Sequence, residues 1–289
     1  MLRWLRNNEG LTALVFLLPS LAGFAVFFLI PFGMGFYYSL MDSPVDGSFV
    51  GIANYRELLG NPIFRRAAVN TSLFMAVCVP LNMLIALGLA MMLNRKLPMR
   101  QTFRISILSP LVVPVASVVL VWNALFDLHG TINAWLAGWG IRPQDWMESK
   151  ASLYVLIIVY LWKNIGYNMI LFLAGLQNIP GDYYEAASMD GAGKFRQWRS
   201  ITLVYLTPTA FFVFIMSIIN SFKMFRETYL IAGNYPDENI YMLQHYMNNM
   251  FKSLDYQKLT SAAFLMAVVI VFLVLTLFVV ERRISKAIG

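Results

Sequence analysis

Residues Tyr184–Leu203 read YEAASMDGAGKFRQWRSITL, a polar run rich in small side chains and ending in positive charge. On either side of it lie segments built almost wholly from Leu, Ile, Val, Phe and Met. A bilayer core about 30 Å thick needs roughly 20 helical residues at about 1.5 Å each to cross it. Six segments meet that length, near Leu14–Tyr38, Ala67–Leu93, Ile105–Phe126, Ala151–Leu176, Thr202–Phe225 and Leu259–Val280. The quoted stretch therefore separates the fourth apolar span from the fifth, and the reading is an all-α integral membrane protein with six transmembrane helices.

Composition points the same way. Of 289 residues 59% are hydrophobic and only 13% charged, more apolar surface than a water-soluble fold can hide. The net charge of +7 falls between the apolar runs, so it is assigned to topology and lipid headgroups, and nucleic acid is excluded as a partner. Prolines at Pro19, Pro31, Pro80, Pro110, Pro114 and Pro208 lie within spans, where neighbouring helices can satisfy the freed carbonyls. The basic N-terminus precedes an apolar run from Leu11 to about Leu40, too long for a signal-peptide core, and it is read as a span. The single cysteine, Cys78, excludes an internal disulfide and a cysteine metal cluster. His129 and His245 make no metal motif, and no phosphate-binding loop or nucleophile elbow occurs, so the chain is read as no enzyme.

Orientation follows from the loops. One side carries Arg3, Arg6, Arg95, Lys96, Arg100, Arg104, Lys194, Arg196, Arg199, Arg282, Arg283 and Lys286. The other carries Arg56, Arg65, Arg66, Arg142, Lys150, Lys252 and Lys258. The excess on the first side places both termini and the Tyr184–Leu203 loop in the cytoplasm of a multi-pass cell-membrane protein. The external connections WNALFDLHGTINAWLAGWG and MLQHYMNNMFKSL read as short amphipathic helices at the membrane surface.

Within the loop, Pro180 and Gly181 stop the fourth span, Asp182 is expected to cap a new helix, and Glu185 suits the positive end of its dipole. Gly191 and Gly193 permit a left-handed turn, after which Lys194–Leu203 resumes as helix into the fifth span. The thin Ala186, Ala187, Ser188 face would let another protein approach closely, with Glu185 or Asp190 pairing to an arginine there. Contact with lipid headgroups through Lys194, Arg196 and Arg199 is an equal reading of the same residues.

At this loop the chain resembles the membrane subunits of ATP-binding-cassette importers. Glu185-Ala186-Ala187, Gly191, Ile201 and Leu203 match that family's EAA loop, and AGLQNIPGDYYEAASMDGAG is similar to the version in carbohydrate permeases of the maltose and glycerol-phosphate type. FLLPSLAGFAVFFLIPFGMGFYYSL and VGIANYRELL resemble the first of the two permeases in such systems. One departure is Val204 where the family has proline, with Pro208 further on, which implies a straighter start to the second loop helix.

The resemblance implies the type I importer permease fold. Residues 1–66 would hold the N-terminus, first helix and first external loop, and 67–289 a five-helix core. The coupling loop at about 177–202 would seat Glu185, Ala186, Ala187, Asp190, Gly191 and Ala192 on a cytoplasmic ATPase. The implied partners are a second homologous permease, two ATPase subunits and an extracytoplasmic sugar-binding protein. ATP and Mg would lie on the ATPases, with no cofactor on this chain. The cargo class is a carbohydrate, an oligosaccharide foremost, with a glycerol-phosphate ester also open.

Polar residues inside the spans are the candidates for the substrate pathway, since charge in a bilayer calls for a partner or a purpose. Asn82 stands in the second span. Lys163, Asn164 and Asn168 lie in the fourth, where they line a sugar path or make interhelical hydrogen bonds, with Lys163 reaching an acidic partner. At the outer end of the fifth, Asn220, Phe222, Lys223, Arg226 and Glu227 form either a gate or ligand face, or an interfacial anchoring belt, with Lys223 and Glu227 spaced as an i,i+4 pair. The rival function is an ion-coupled secondary transporter using Lys163 and Glu227 as a relay. An integral membrane enzyme lacks a catalytic cluster.

Overall fold

A computed structural model describes residues 9–95 and 97–288, all but a short antiparallel bridge between Met41 and Phe49 being helix, turn or loop. Arg3, Arg6 and Lys96, and the side chain of Lys286, lie outside the described residues. Six stretches are long and apolar enough to cross a membrane: Ala13–Ser39, Pro62–Leu93, Val115–Ala137, Ser152–Gln177, Lys194–Ala232 and Tyr256–Arg283. They correspond one for one to the six read from the sequence.

The chain divides into two compact units, 1–61 with 247–268, and 62–246 with 269–289. In the first, helix α1 runs Glu9–Phe24, widens into a π-helical stretch Ala25–Leu29 and continues as Ile30–Ser39. Pro31 accounts for the widening: it lacks an N–H and its ring crowds the carbonyl four residues back, Phe27, so a looser turn relieves the clash. The end of α1 is fastened by α2 (Ala53–Gly60). Asn54 Nδ2 donates to the carbonyls of Ser39 (2.9 Å) and Met41 (2.8 Å), and the Tyr55 and Ser39 hydroxyls share a hydrogen bond of 2.7 Å. These contacts explain the IANY of VGIANYRELL, since a helix end leaves carbonyls that something must satisfy. Phe32 and Phe36 of α1 pack on Phe264.

The second unit centres on three long helices, α3 (Pro62–Leu93), α7 (Ser152–Gln177) and α10 (Leu203–Lys223). Pro80 and Pro208 sit inside α3 and α10 without ending them, as expected where neighbouring helices surround the freed carbonyls. Two apolar clusters hold the bundle. One gathers Phe74, Cys78, Trp122, Leu156 and Tyr160, the other Ala86, Ala90, Met169, Phe172 and Leu206. In α3 the register passes from Cys78 through Asn82 to Ala86, so a polar layer falls between the two clusters.

The third span departs from the expected helix Ile105–Phe126. It is broken into α4 (Arg100–Leu108), a 3-10 turn Ser109–Leu111, and α5 (Val115–Phe126) capped by an extended Pro114. Two prolines four residues apart remove two helix donors in one turn, and no single neighbour can restore both. The backbone at the break is pressed against α7: a Cβ on Gly166 would collide with the Ile107 carbonyl and lie 2.8 Å from Leu108 Cα. Only glycine admits that approach. The connections that follow the third and fifth spans form the short helices α6 (Thr131–Ala137) and α12 (Leu243–Lys252), with α11 (Phe225–Ala232) following α10 and α13 (Tyr256–Ile288) as the last helix described.

Candidate coupling hairpin and buried polar layer

Between the fourth and fifth spans the chain forms a helical hairpin. Helix α8 (Gly181–Met189) is followed by a turn and then α9 (Lys194–Gln197), which runs through a π-helical stretch Trp198–Thr202 into α10 without a break. The cap of α8 is Pro180 in an extended conformation, and Asp182 lies inside the first turn, so the expected Asp182 cap is corrected. Pro180 has already fixed the chain direction, and a carboxylate one turn in still faces the positive dipole end. Gly191 has φ +74°, the left-handed turn expected of it, and the Ala192 N–H donates to the Ala187 carbonyl at 2.9 Å. Gly193 is extended, with φ −65° and ψ 162°, and takes no part in the left-handed turn.

The hairpin is braced from inside and open outside. Gln197 Nε2 donates to Ser188 Oγ and to the Ala192 carbonyl, both at 2.9 Å, and Tyr184 and Thr202 hydroxyls are 2.9 Å apart. Glu185, Ala186, Asp190 and Gly191 are exposed and Ala187 and Ala192 half-buried. Beside them Met189 is 86% and Phe195 72% exposed, so an apolar rim surrounds the small-residue face. Sequence reasoning weighed the charge and the alanines and missed this rim; MDGAGKF carries it plainly.

The polar candidates of the spans are sorted by the fold. Asn82 and Asn168 are buried and hydrogen-bonded to one another, and Asn168 Nδ2 also donates to Ser217 Oγ at 2.7 Å. Asn164 turns back on the Tyr160 carbonyl (2.9 Å), while Tyr160 OH donates to the Ser217 carbonyl (3.0 Å). The Asn82–Asn168, Asn168–Ser217 and Tyr160–Ser217 bonds join α3, α7 and α10 in the interhelical manner, while the Asn164 bond stays within α7. Ser217, which sequence reading passed over, is the hub; a serine on an apolar helix gives no signal until its neighbours are known.

Lys163 forms an ion pair with Glu227, its side chain 17% and that of Glu227 3% exposed. The i,i+4 pairing of Glu227 with Lys223 is thereby corrected. Helix α10 ends at Lys223 and α11 begins at Phe225, the Met224 between them keeping a right-handed helical backbone, and Glu227 on α11 meets Lys163 of α7. Lys223 and Arg226 are left exposed, with Asn220 and Phe222 half-buried beside them. The Glu227 Oε2 atom is buried and without a hydrogen-bond partner among the described residues.

Six membrane-crossing helices with a braced, exposed two-helix hairpin between the fourth and fifth fit the class of transport permeases. More closely, the chain belongs to the family of binding-protein-dependent transport system inner membrane components, which matches residues 82–288. The arabinooligosaccharides transport system permease protein of Bacillus subtilis (strain 168) is 34% identical over 235 residues, 78% of this chain and 74% of that protein. The trehalose/maltose transport system permease protein of Thermococcus litoralis is 31% identical over 237 residues, 80% of each. In fold, the chain superposes on a chain of a bacterial ABC transporter involved in the import of the acidic polysaccharide alginate, with a TM-score of 0.84 at 21% identity, covering 99% of this chain and 100% of the other. The type I importer permease fold and a multi-pass cell-membrane location follow. The Lys163–Glu227 pair that an ion relay would use is present, but that reading leaves the hairpin and the family unexplained.

Proposed function

We propose that this permease carries an oligosaccharide, and that the α8–Gly191–α9 hairpin is where a separate cytoplasmic ATPase docks. Both termini then lie in the cytoplasm, as the loop charges suggest. ATP and Mg belong to the ATPase, this chain binds no cofactor, and a second homologous permease and an external binding protein complete the path. The cargo reading is supported by relatives whose names specify arabinooligosaccharides and trehalose or maltose.

The observation that carries the docking reading is the hairpin itself: braced by Gln197 and the Tyr184–Thr202 contact, yet presenting Met189, Phe195 and a small-residue face outward. Exposed apolar side chains beside a small-residue face mark a protein contact. Glu185 and Asp190 add carboxylates that an arginine of the ATPase can meet. Because α9 is continuous with α10, a displacement of the hairpin enters the fifth span directly, and through Ser217 and Asn168 it reaches α3 and α7. Asn220, Phe222, Lys223 and Arg226 stand at the far end of that lever, where hydroxyl-binding donors and an aromatic face suit a sugar. Asn82, Asn164, Lys163 and Glu227 then support the pathway from within.

Gly191→Asp tests the docking. Nothing lies within 4 Å of a Cβ at Gly191, so within the chain the change costs only the left-handed backbone, about 1–2 kcal/mol. The expected result is normal membrane insertion with loss of co-purifying ATPase and of uptake. Undiminished ATPase recovery with the variant would refute the assignment.

A further inference from the structure

The second unit carries an apolar groove of about 320 Å³ whose walls include Leu84 and Leu87 of α3, Phe172 of α7, Leu206 and Phe214 of α10, and Leu277 of α13. Its single hydroxyl, Thr207, is turned back onto the Leu203 carbonyl at 3.0 Å, so the lining offers no polar group to a solute. Along α10 the lining runs from Leu203 to Phe214, about 17 Å at the helical rise, roughly half of a hydrocarbon core about 30 Å thick. The groove is one leaflet deep.

Its end nearest the hairpin is basic. Arg199 precedes Leu203 by one turn, and Arg95 lies two residues beyond the end of α3, whose last turns pack with Leu206 and Ile201. Both guanidinium groups are exposed, and neither makes an ion pair with the described residues. Arg282 and Arg283 follow Leu277 on α13 and are also exposed; Glu281, which borders a neighbouring apolar cavity, offsets one of these charges.

We infer that this groove binds one acyl chain of an anionic phospholipid from the leaflet next to the hairpin, its phosphate held between Arg95 and Arg199. A dry groove of leaflet depth, capped by cations at headgroup level, complements a lipid tail and phosphate together. A solute passing through would need polar partners, which the lining lacks. Since the groove borders α10 just above the π-helical stretch, lipid occupancy would stiffen the segment through which the hairpin joins the span. The inference holds whatever the cargo is.

The test is native mass spectrometry of the assembled transporter taken from nanodiscs of equal phosphatidylglycerol and phosphatidylcholine, with Ala210→Trp to fill the groove and Arg95→Gln with Arg199→Gln to remove its charge. One retained phospholipid for this chain, mostly phosphatidylglycerol, is expected, and Ala210→Trp should lose it. Each arginine near an anionic headgroup contributes about fivefold, so the double arginine variant should cut the phosphatidylglycerol preference about thirtyfold. Should Ala210→Trp fail to assemble, the arginine variant decides alone. Lipid retention and preference unchanged by these variants would overturn the site, as would a photocrosslinker at position 210 that captures the second permease and no lipid.

Discussion

The Lys163–Glu227 pair gives a sharp energetic prediction, because both charges are nearly sealed from water and neither has a second ionic partner among the described residues. Glu227→Met leaves Lys163 alone at 17% exposure, and Lys163→Met leaves Glu227 alone at 3% with both carboxylate oxygens unpaired. Removing one member of a buried pair costs about 3–5 kcal/mol, and a lone charge inside a transmembrane helix about 2.5–3.5 kcal/mol by insertion scales. Each single variant should therefore lose about 3 kcal/mol, Lys163→Met the more, since it strands the deeper charge. The double variant replaces the pair by apolar side chains of similar length and should lie within about 1 kcal/mol of the parent. The chain supplies its own reporter: Cys78, its only cysteine, is fully buried in the apolar cluster around Phe74 and Tyr160. Maleimide labelling of Cys78 against temperature, read by peptide mass spectrometry in the purified complex, should shift down by about 6–12 °C in the single variants and return close to the parent in the double. If the double variant lost the sum of the two singles, the charges would be acting separately and the reasoning would fail.

Three further outcomes are expected. Gly166→Ala drives a methyl into the Ile107 carbonyl and should destabilise by about 1–3 kcal/mol, measured by the same Cys78 labelling; a neutral result would mean α4 can withdraw from α7. Asn82→Ala and Asn168→Ala should each cost about 0.6–1.7 kcal/mol, and their combination less than the sum, since they remove one shared bond. His245 of α12 is fully buried, accepts from the Met242 N–H at 3.2 Å, and burial pushes its imidazole down to about 4 from 6.5. Because the folded state resists protonation, stability should be level above pH 6.5 and decline by up to about 3 kcal/mol as pH falls from 6.5 towards 4. His245→Gln should flatten that part of a melting-temperature profile.

What the sequence made legible is what a bilayer dictates. Length and hydropathy fix how many helices can cross, so the number and order of the six spans were legible though the third is broken, and Gly191 announced its left-handed turn because few other residues accept φ of +74°. The failures share a cause of another kind. Pro110 and Pro114 were read by the rule that prolines in spans are tolerated, which holds for Pro80 and Pro208, but that rule depends on what surrounds each freed carbonyl, and two prolines in one turn exceed it. Glu227 was paired with Lys223 by local helical spacing, and the buried cation of a different helix, Lys163 of α7, takes that carboxylate instead. Ser217 gave no sign of being a hub. A polar residue in a membrane helix acquires its meaning from the helix opposite, and which helix lies opposite is settled by packing: here by Gly166, whose missing Cβ lets the broken third span press on α7, and by the two apolar clusters that bring α3, α7 and α10 together. The hairpin was readable because its turn and its brace are local, set by Gly191 and Gln197 within one short stretch, and on the proposed docking its outward residues must mark the contact in that same stretch. The buried polar layer meets its partner inside, and its logic is spread over residues as far apart as Asn82, Asn168 and Ser217.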